Sequence, residues 1–151
     1  MRSVFSGCSS VTELDVSGFD TSNVTDMAGM FNSCIRLTKL DVSGFDTSNV
    51  TDMSCMFGDC SGLTTLDVTG FDTSNVMDMS LMFSGCSKLE ELDLRWFDFS
   101  KVAQFYDMFY DLARDVEEKP IEIKVKSEGH INLKSNDTGL NTDYAELVIY
   151  D

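Results

Sequence analysis

Residues 37–62 read LTKLDVSGFDTSNVTDMSCMFGDCSG, and residues 63–88 read LTTLDVTGFDTSNVMDMSLMFSGCSK. Aligned without a gap, 19 of the 26 positions are identical, which marks an internal repeat. The period extends in both directions. Leu14, Leu40, Leu66 and Leu92 fall 26 residues apart, as do Asp15, Asp41, Asp67 and Asp93, and Phe19, Phe45, Phe71 and Phe97. Met30, Met56, Met82 and Met108 keep the same spacing, each followed by a phenylalanine. Self-similarity at a fixed period of this size is the signature of a stacked-repeat architecture.

Within one unit, Leu40 and Val42 alternate with Asp41 and Ser43, the period of a half-buried strand. Gly44 to Asn49 is a run of turn and cap formers, and Asn49–Met53 reads as a second short extended piece. Ser54–Cys60 has no alternation and is expected to form one or two helical turns. A unit this small cannot bury its own apolar side, so the units must stack, which aligns equivalent strands about 4.8 Å apart in a parallel sheet. Leu37, Leu40, Val42, Phe45, Val50, Met53, Met56, Phe57 and Cys60, with their counterparts, are then the interior columns. That placement explains the methionines and most phenylalanines as packing. The expected fold is an open α/β solenoid over residues 1–112 with one parallel sheet along a face. Met1 occupies the position of Met27, so residues 1–11 read as a truncated first rung whose uncapped apolar edge invites self-association.

The unit LTxLDVSGFDTSNVTDMSxMFxxC resembles the BspA-like class of bacterial leucine-rich repeats, and within it the 26-residue surface-protein repeat of a Mycoplasma-type domain of unknown function. The resemblance covers roughly residues 1–112. It implies a right-handed solenoid of leucine-rich-repeat type, a place in a bacterial surface or secreted protein, a role in adhesion to proteins or to other cells, and no catalytic activity. The start MRSVFSGCSS has no apolar stretch of signal-peptide kind, so the expectation is a piece of a longer array or a shortened paralogue.

A formal charge of −15, from 26 acidic and 11 basic residues, argues against nucleic acid and anionic lipid, both of which need clustered Lys and Arg. No apolar run approaches the roughly 18 residues of a membrane span. Protein and glycan partners stay open. A general base and a nucleophile converging in one cleft are not legible: the single histidine, His130, lies outside the repeat, and the carboxylates recur evenly. No cofactor is expected.

The fourth unit drifts. Gly44 and Gly70 become Trp96, Thr47 and Thr73 become Phe99, and Tyr106 and Tyr110 add aromatic bulk. Two readings stand: these aromatics pack under the C-terminal segment, or Trp96 is an exposed binding anchor. After the acidic stretch Asp115–Glu118, residues 113–151 are read as a small β-rich cap or the start of a following module. Strands are expected at Ile121–Val125, around Ile131–Leu133 and over Ala145–Tyr150, with a turn at Asn136–Gly139.

Cys8, Cys34, Cys60 and Cys86 form one column, and their even spacing points to buried free thiols. Column neighbours point the same way and so do not suit a disulfide, and no CxxC pair suggests zinc. Cys55 stands off the column and is the one candidate for a reactive thiol. The turn aspartates Asp20, Asp46, Asp72 and Asp98 have a local role, accepting from amides two residues on. Calcium bridging between rungs is the alternative use of those oxygens. Asp26, Asp52 and Asp78 make a third column. Thr21, Thr47 and Thr73, beside Ser22, Ser48 and Ser74, make hydroxyl ladders for which an ice-ordering surface is an outlying reading. Asn23, Asn49 and Asn136 head glycosylation sequons.

The expected function is non-catalytic recognition on the strand face, with a calcium-dependent glycan or adhesion module and a purely structural spacer as the alternatives. The columns of that face are Glu13/Lys39/Thr65/Glu91, Asp15/Asp41/Asp67/Asp93 and Ser17/Ser43/Thr69/Arg95, with Trp96 alongside. Lys39, Glu91 and Arg95 break the regularity, and variation on a regular scaffold is where specificity resides.

Overall fold

The computed structural model describes residues 1–117, 120–134 and 137–151, with the side chains of 128–131 left aside. Glu118, Asn136 and the His130 side chain therefore lie outside the described residues. The 26-residue units stack in parallel. Strand β1 (Glu13–Leu14) pairs with β2 (Lys39–Leu40) in the register Glu13↔Lys39, Leu14↔Leu40. A second seam runs along the expected NVTDM piece as single parallel bridges, Asp26↔Asp52↔Asp78↔Gln104. The strand seam is shorter than the repeat suggests. Strand β3 (Leu92–Asp93) forms in the fourth unit, but Thr65–Asp67 of the third unit is in no strand.

The segment expected to be helical is not. Ser54–Cys60 and its counterparts form a ribbon of successive turns, and residues 1–117 contain no helix. Its amides explain why. Met53, Cys55, Phe57 and Asp59 donate to the carbonyls of Asp78, Ser80, Met82 and Ser84 in the next unit, at 2.7–3.0 Å. Met56, Gly58 and Cys60 donate three residues back, to Met53, Cys55 and Phe57, at 3.0–3.1 Å. The ribbon's amides thus alternate between a partner in the neighbouring unit and one in their own, which satisfies the buried backbone without a helix. The geometry places left-handed residues at two positions in each unit: Ser3, Gly29, Cys55 and Leu81 at the first, Gly7, Ser33, Asp59 and Gly85 at the second, with φ between 54° and 76°. For non-glycine residues that conformation costs about 1–2 kcal/mol each, a cost borne by the inter-unit ladder.

The apolar columns fill the space between the seams. Leu37, Val42, Val50, Met53, Met56, Phe57 and Cys60 are fully buried or nearly so, and Phe45 is 5% exposed; Leu40 is only half-buried. Phe5, Phe31, Phe57, Phe83 and Phe109 stack in one file, with centroids 5.6–6.3 Å apart and planes within 10° of parallel. The cysteines are free. Cys34, Cys60 and Cys86 each donate from Sγ to the carbonyl of Phe5, Phe31 and Phe57, at 3.2 Å, so the thiol column ties neighbouring units. Burial pushes the Cys86 thiol up to about 12. Thr21, Thr47 and Thr73 are 1–2% exposed, so they offer no surface for ordering water. Each instead clamps the next unit: Thr47 Oγ1 donates to the Asp72 carbonyl at 2.9 Å and accepts from the Asp72 amide at 2.8 Å.

The C-terminal segment continues the stack. Strand β4 (Ile121–Val125) pairs in parallel with β3, Leu92↔Ile123, and β5 (Ala145–Ile149) pairs in parallel with β4, Ile121↔Ala145. The ribbon continues as well, with the Phe109 amide donating to the Thr138 carbonyl at 2.8 Å. The strand expected around Ile131–Leu133 is corrected to helix α1 (Ser127–Lys134), which buries Leu133. This connection must carry the chain from the end of β4 back to a parallel β5, which a helical crossover does and a hairpin strand cannot.

Candidate functional site

The strand face carries a groove of about 480 Å³ where the strand seam is interrupted. Leu40, Val42, Leu66 and Val68 lie beneath it; Asp41, Asp67, Asp93 and Glu91 rim it; Lys39 and Lys124 also line it. Strand alternation sets this arrangement, sending Val42 and Val68 to the core and Asp41 and Asp67 outward. The groove opens where Thr65–Asp67 leaves the ladder between β2 and β3.

The rim aspartates are held by their own turns. The Thr69 amide and hydroxyl donate to Asp67 Oδ1 at 2.9 and 2.7 Å, and the Ser43 amide to Asp41 Oδ1 at 3.0 Å. Thr69 hydroxyl and amide hold the Asp67 carboxyl below its ordinary value, and Ser43 does the same for Asp41. Both stay ionised at neutral pH, and among the described residues neither Oδ2 has a hydrogen-bond partner. Asp93 differs. Arg95 Nε lies 3.0 Å from Oδ1 and Nη2 lies 2.6 Å from Oδ2, so this carboxylate is already neutralised. Two unpaired negative charges therefore face the groove in mid-span, Asp41 and Asp67.

A family described as "Mycoplasma protein of unknown function, DUF285" matches residues 1–121 of the 151. The chain belongs to DUF285. Comparison with curated proteins gives no match, and comparison with solved structures gives none either.

The remaining strand-face residues of this DUF285 chain lie outside the groove. Glu13 pairs with Lys39 at 3.4 Å, both well exposed, and Asp15 accepts from the Ser17 amide and hydroxyl at 3.0 and 2.7 Å. Arg95 and Trp96 line a separate pocket beyond the fourth unit. Of the fourth-unit aromatics named above only Phe99 is buried, at 4%; Trp96 and Tyr106 are 60% exposed and Tyr110 54%. Packing of all four under the C-terminal segment is thereby corrected: Phe99 fills the place vacated by the threonine column, whereas the other three point outward.

Asp20, Asp46, Asp72 and Asp98 each accept the amide of the residue two ahead, at 2.8–3.0 Å, as the local reading requires. Asp26, Asp52 and Asp78 repeat the pattern at 2.8–2.9 Å, and Arg2 Nη1 bridges Asp26 and Asp52 at 3.3 and 3.4 Å. Among the described residues no cluster of three or more carboxylate, thiol or imidazole groups is arranged to hold a metal ion. Asn49 Nδ2 donates to the Ser22 carbonyl at 2.8 Å, a structural use of that sequon asparagine. Cys55 is half-buried, and burial followed by the nearby Asp78 and Asp52 raises its thiol, which opposes thiolate formation.

Three residues of the face escape a reading based on the 26-residue period. Lys124 pairs with Asp93 and so extends the aspartate column with a positive charge, 3.8 Å from Glu91. Lys126 and Tyr150 flank the strand ends. The alternation of Ile121–Val125 reveals a strand, but nothing local reveals its register, because the step from Leu92 to Ile123 is longer than the repeat.

Proposed function

We propose that this chain is a non-catalytic recognition module of adhesion type. In this reading it is a right-handed solenoid of leucine-rich-repeat type, part of a bacterial surface or secreted protein, and it captures a protein segment in the strand-face groove. The observation that carries the proposal is the pair of uncompensated carboxylates, Asp41 and Asp67, above an apolar floor in a groove. The partner segment is extended and cationic, placing Lys or Arg between Asp41 and Asp67 and apolar side chains over Leu40 and Leu66. Support comes from the −15 charge, which steers a cationic partner inward. The floor and rim also follow the usual division at interfaces, apolar at the centre and polar at the edge.

Titration with extended peptides that differ only in charge tests this reading. Asn keeps the Oδ1 acceptor of each turn and removes the charge, so Asp41→Asn with Asp67→Asn leaves the fold intact. The parent is expected to bind the cationic peptide in a salt-sensitive way, and the double variant to bind it at least tenfold more weakly. Equal binding by parent and variant, or no preference for the cationic peptide, would overturn the proposal.

A further inference from the structure

Trp96 stands where three earlier units carry Gly18, Gly44 and Gly70, and Arg95 where they carry Ser17, Ser43 and Thr69. The core does not demand this bulk, since Trp96 remains 60% exposed. Beside it lies a pocket of about 390 Å³ lined by Arg95, Trp96, Asp98, Ser100, Lys126 and Asn132. That volume falls at the lower end of the range of small-molecule sites. Lys126 Nζ lies over the indole ring, 4.6 Å from its centroid, in a cation–π contact and, among the described residues, pairs with no carboxylate. Arg95, by contrast, is committed to Asp93 and lies over Tyr150, 5.7 Å from the ring centroid. Asp98 accepts from the Ser100 amide through Oδ1 at 2.8 Å, and its carboxyl is held below the ordinary value by that bond. It therefore offers an ionised acceptor within the pocket.

We infer that this pocket is a binding site for a saccharide residue bearing one carboxylate, of uronic- or sialic-acid type. The apolar face of the sugar ring takes the place over Trp96 that the Lys126 ammonium now holds, and the flexible lysine swings aside to meet the sugar's carboxylate. The sugar's hydroxyls donate to Asp98 and exchange hydrogen bonds with Ser100. An aromatic plane beside hydrogen-bonding groups suits a pyranose, which has an apolar face and a polar edge. A densely acidic peptide is disfavoured, because its many charges would meet Asp98 within the pocket and the chain's −15 charge around it. A single carboxylate reaches Lys126 with distant charges screened, because the Debye length is about 8 Å at physiological ionic strength. The site is separate from the groove, and its inference does not rest on the function proposed there.

Trp96 is the chain's single tryptophan, so indole fluorescence reads this pocket directly. Titration with a uronic-acid-containing disaccharide is expected to give a saturable change in emission, and the neutral analogue to bind about tenfold more weakly, the loss of one charge-assisted contact. Lys126→Gln is expected to erase that preference. By calorimetry, Trp96→Gly, which restores the residue of the other units, is expected to abolish binding without lowering the melting temperature, while Trp96→Phe retains part of it. No saturable signal, equal binding of acidic and neutral sugars by the parent, or stronger binding of an acidic peptide than of either sugar would overturn the inference.

Discussion

At the residue scale, the side chains that distinguish this repeat act as ties between units. Thr47 is the clearest case, because one buried hydroxyl both donates to and accepts from the backbone of Asp72. Thr47→Val preserves shape but leaves that amide and carbonyl without their partner, at about 1–3 kcal/mol. Thr47→Ser keeps the hydroxyl and loses one methyl, at about 0.8 kcal/mol. Denaturant unfolding is therefore expected to rank the parent above Thr47→Ser and Thr47→Val last. A valine variant more stable than the serine variant would mean that the site is governed by packing alone. The phenylalanine at this position in the fourth unit, Phe99, has no hydroxyl to make such bonds and is buried instead, so the column changes from polar clamp to core where the units change character.

At the element scale, the ribbon of turns is the feature that departs most from what its sequence suggests. Met53, Met56, Phe57 and Cys60 are spaced as on one face of a helix, and all four are buried. Local periodicity therefore locates the core side of this segment correctly. It misses the backbone because alternate amides of the ribbon bond to another unit, a choice no local pattern reports. The left-handed positions give a direct check. Gly85 has φ +71°, and an added Cβ would press on Asp59 Oδ1 and lie 3.2 Å from Asp59 Cα. Gly85→Ala is expected to cost more than the ~1–2 kcal/mol of left-handed strain alone. Gly44, in the strand-side turn, has open space where a Cβ would lie and no positive φ, so Gly44→Ala is expected to stay within about 0.5 kcal/mol of the parent. Equal melting temperatures for the two variants would argue against the ribbon geometry.

At the scale of the whole molecule, the period, the core columns and the outward direction of the aspartates were legible in the sequence, because each depends only on spacing. The groove was not, since it arises where Thr65–Asp67 leaves the strand seam. Nor was Lys124 at the end of the aspartate column, since the connection from β3 to β4 breaks the 26-residue step. The exposure of Trp96 was one of two open readings and depended on where β4 and α1 would lie. The stack also has a collective pH response. Local hydrogen bonds hold Asp15, Asp20, Asp41, Asp46, Asp67 and Asp98 below the ordinary carboxylate value, and Asp93 is held down chiefly by Arg95. Depressed carboxylates stabilise the folded chain above their unfolded pKa of about 3.9, and that contribution is lost as the pH falls through the lower folded values. The melting temperature is expected to vary little between neutrality and about pH 5, then to fall steadily below about pH 4. A rise in that acid range would show that mutual repulsion outweighs the turn bonds.

The recognition reading is tested most directly by mapping amide chemical shifts of the isotope-labelled chain during titration with a short lysine-containing extended peptide. Saturable shifts are expected in the groove alone, in residues 39–43, 65–69 and 91–93, with the turn ribbon around 54–60 and 80–86 unmoved. Shifts centred on the ribbon, or none at any peptide concentration, would contradict that reading.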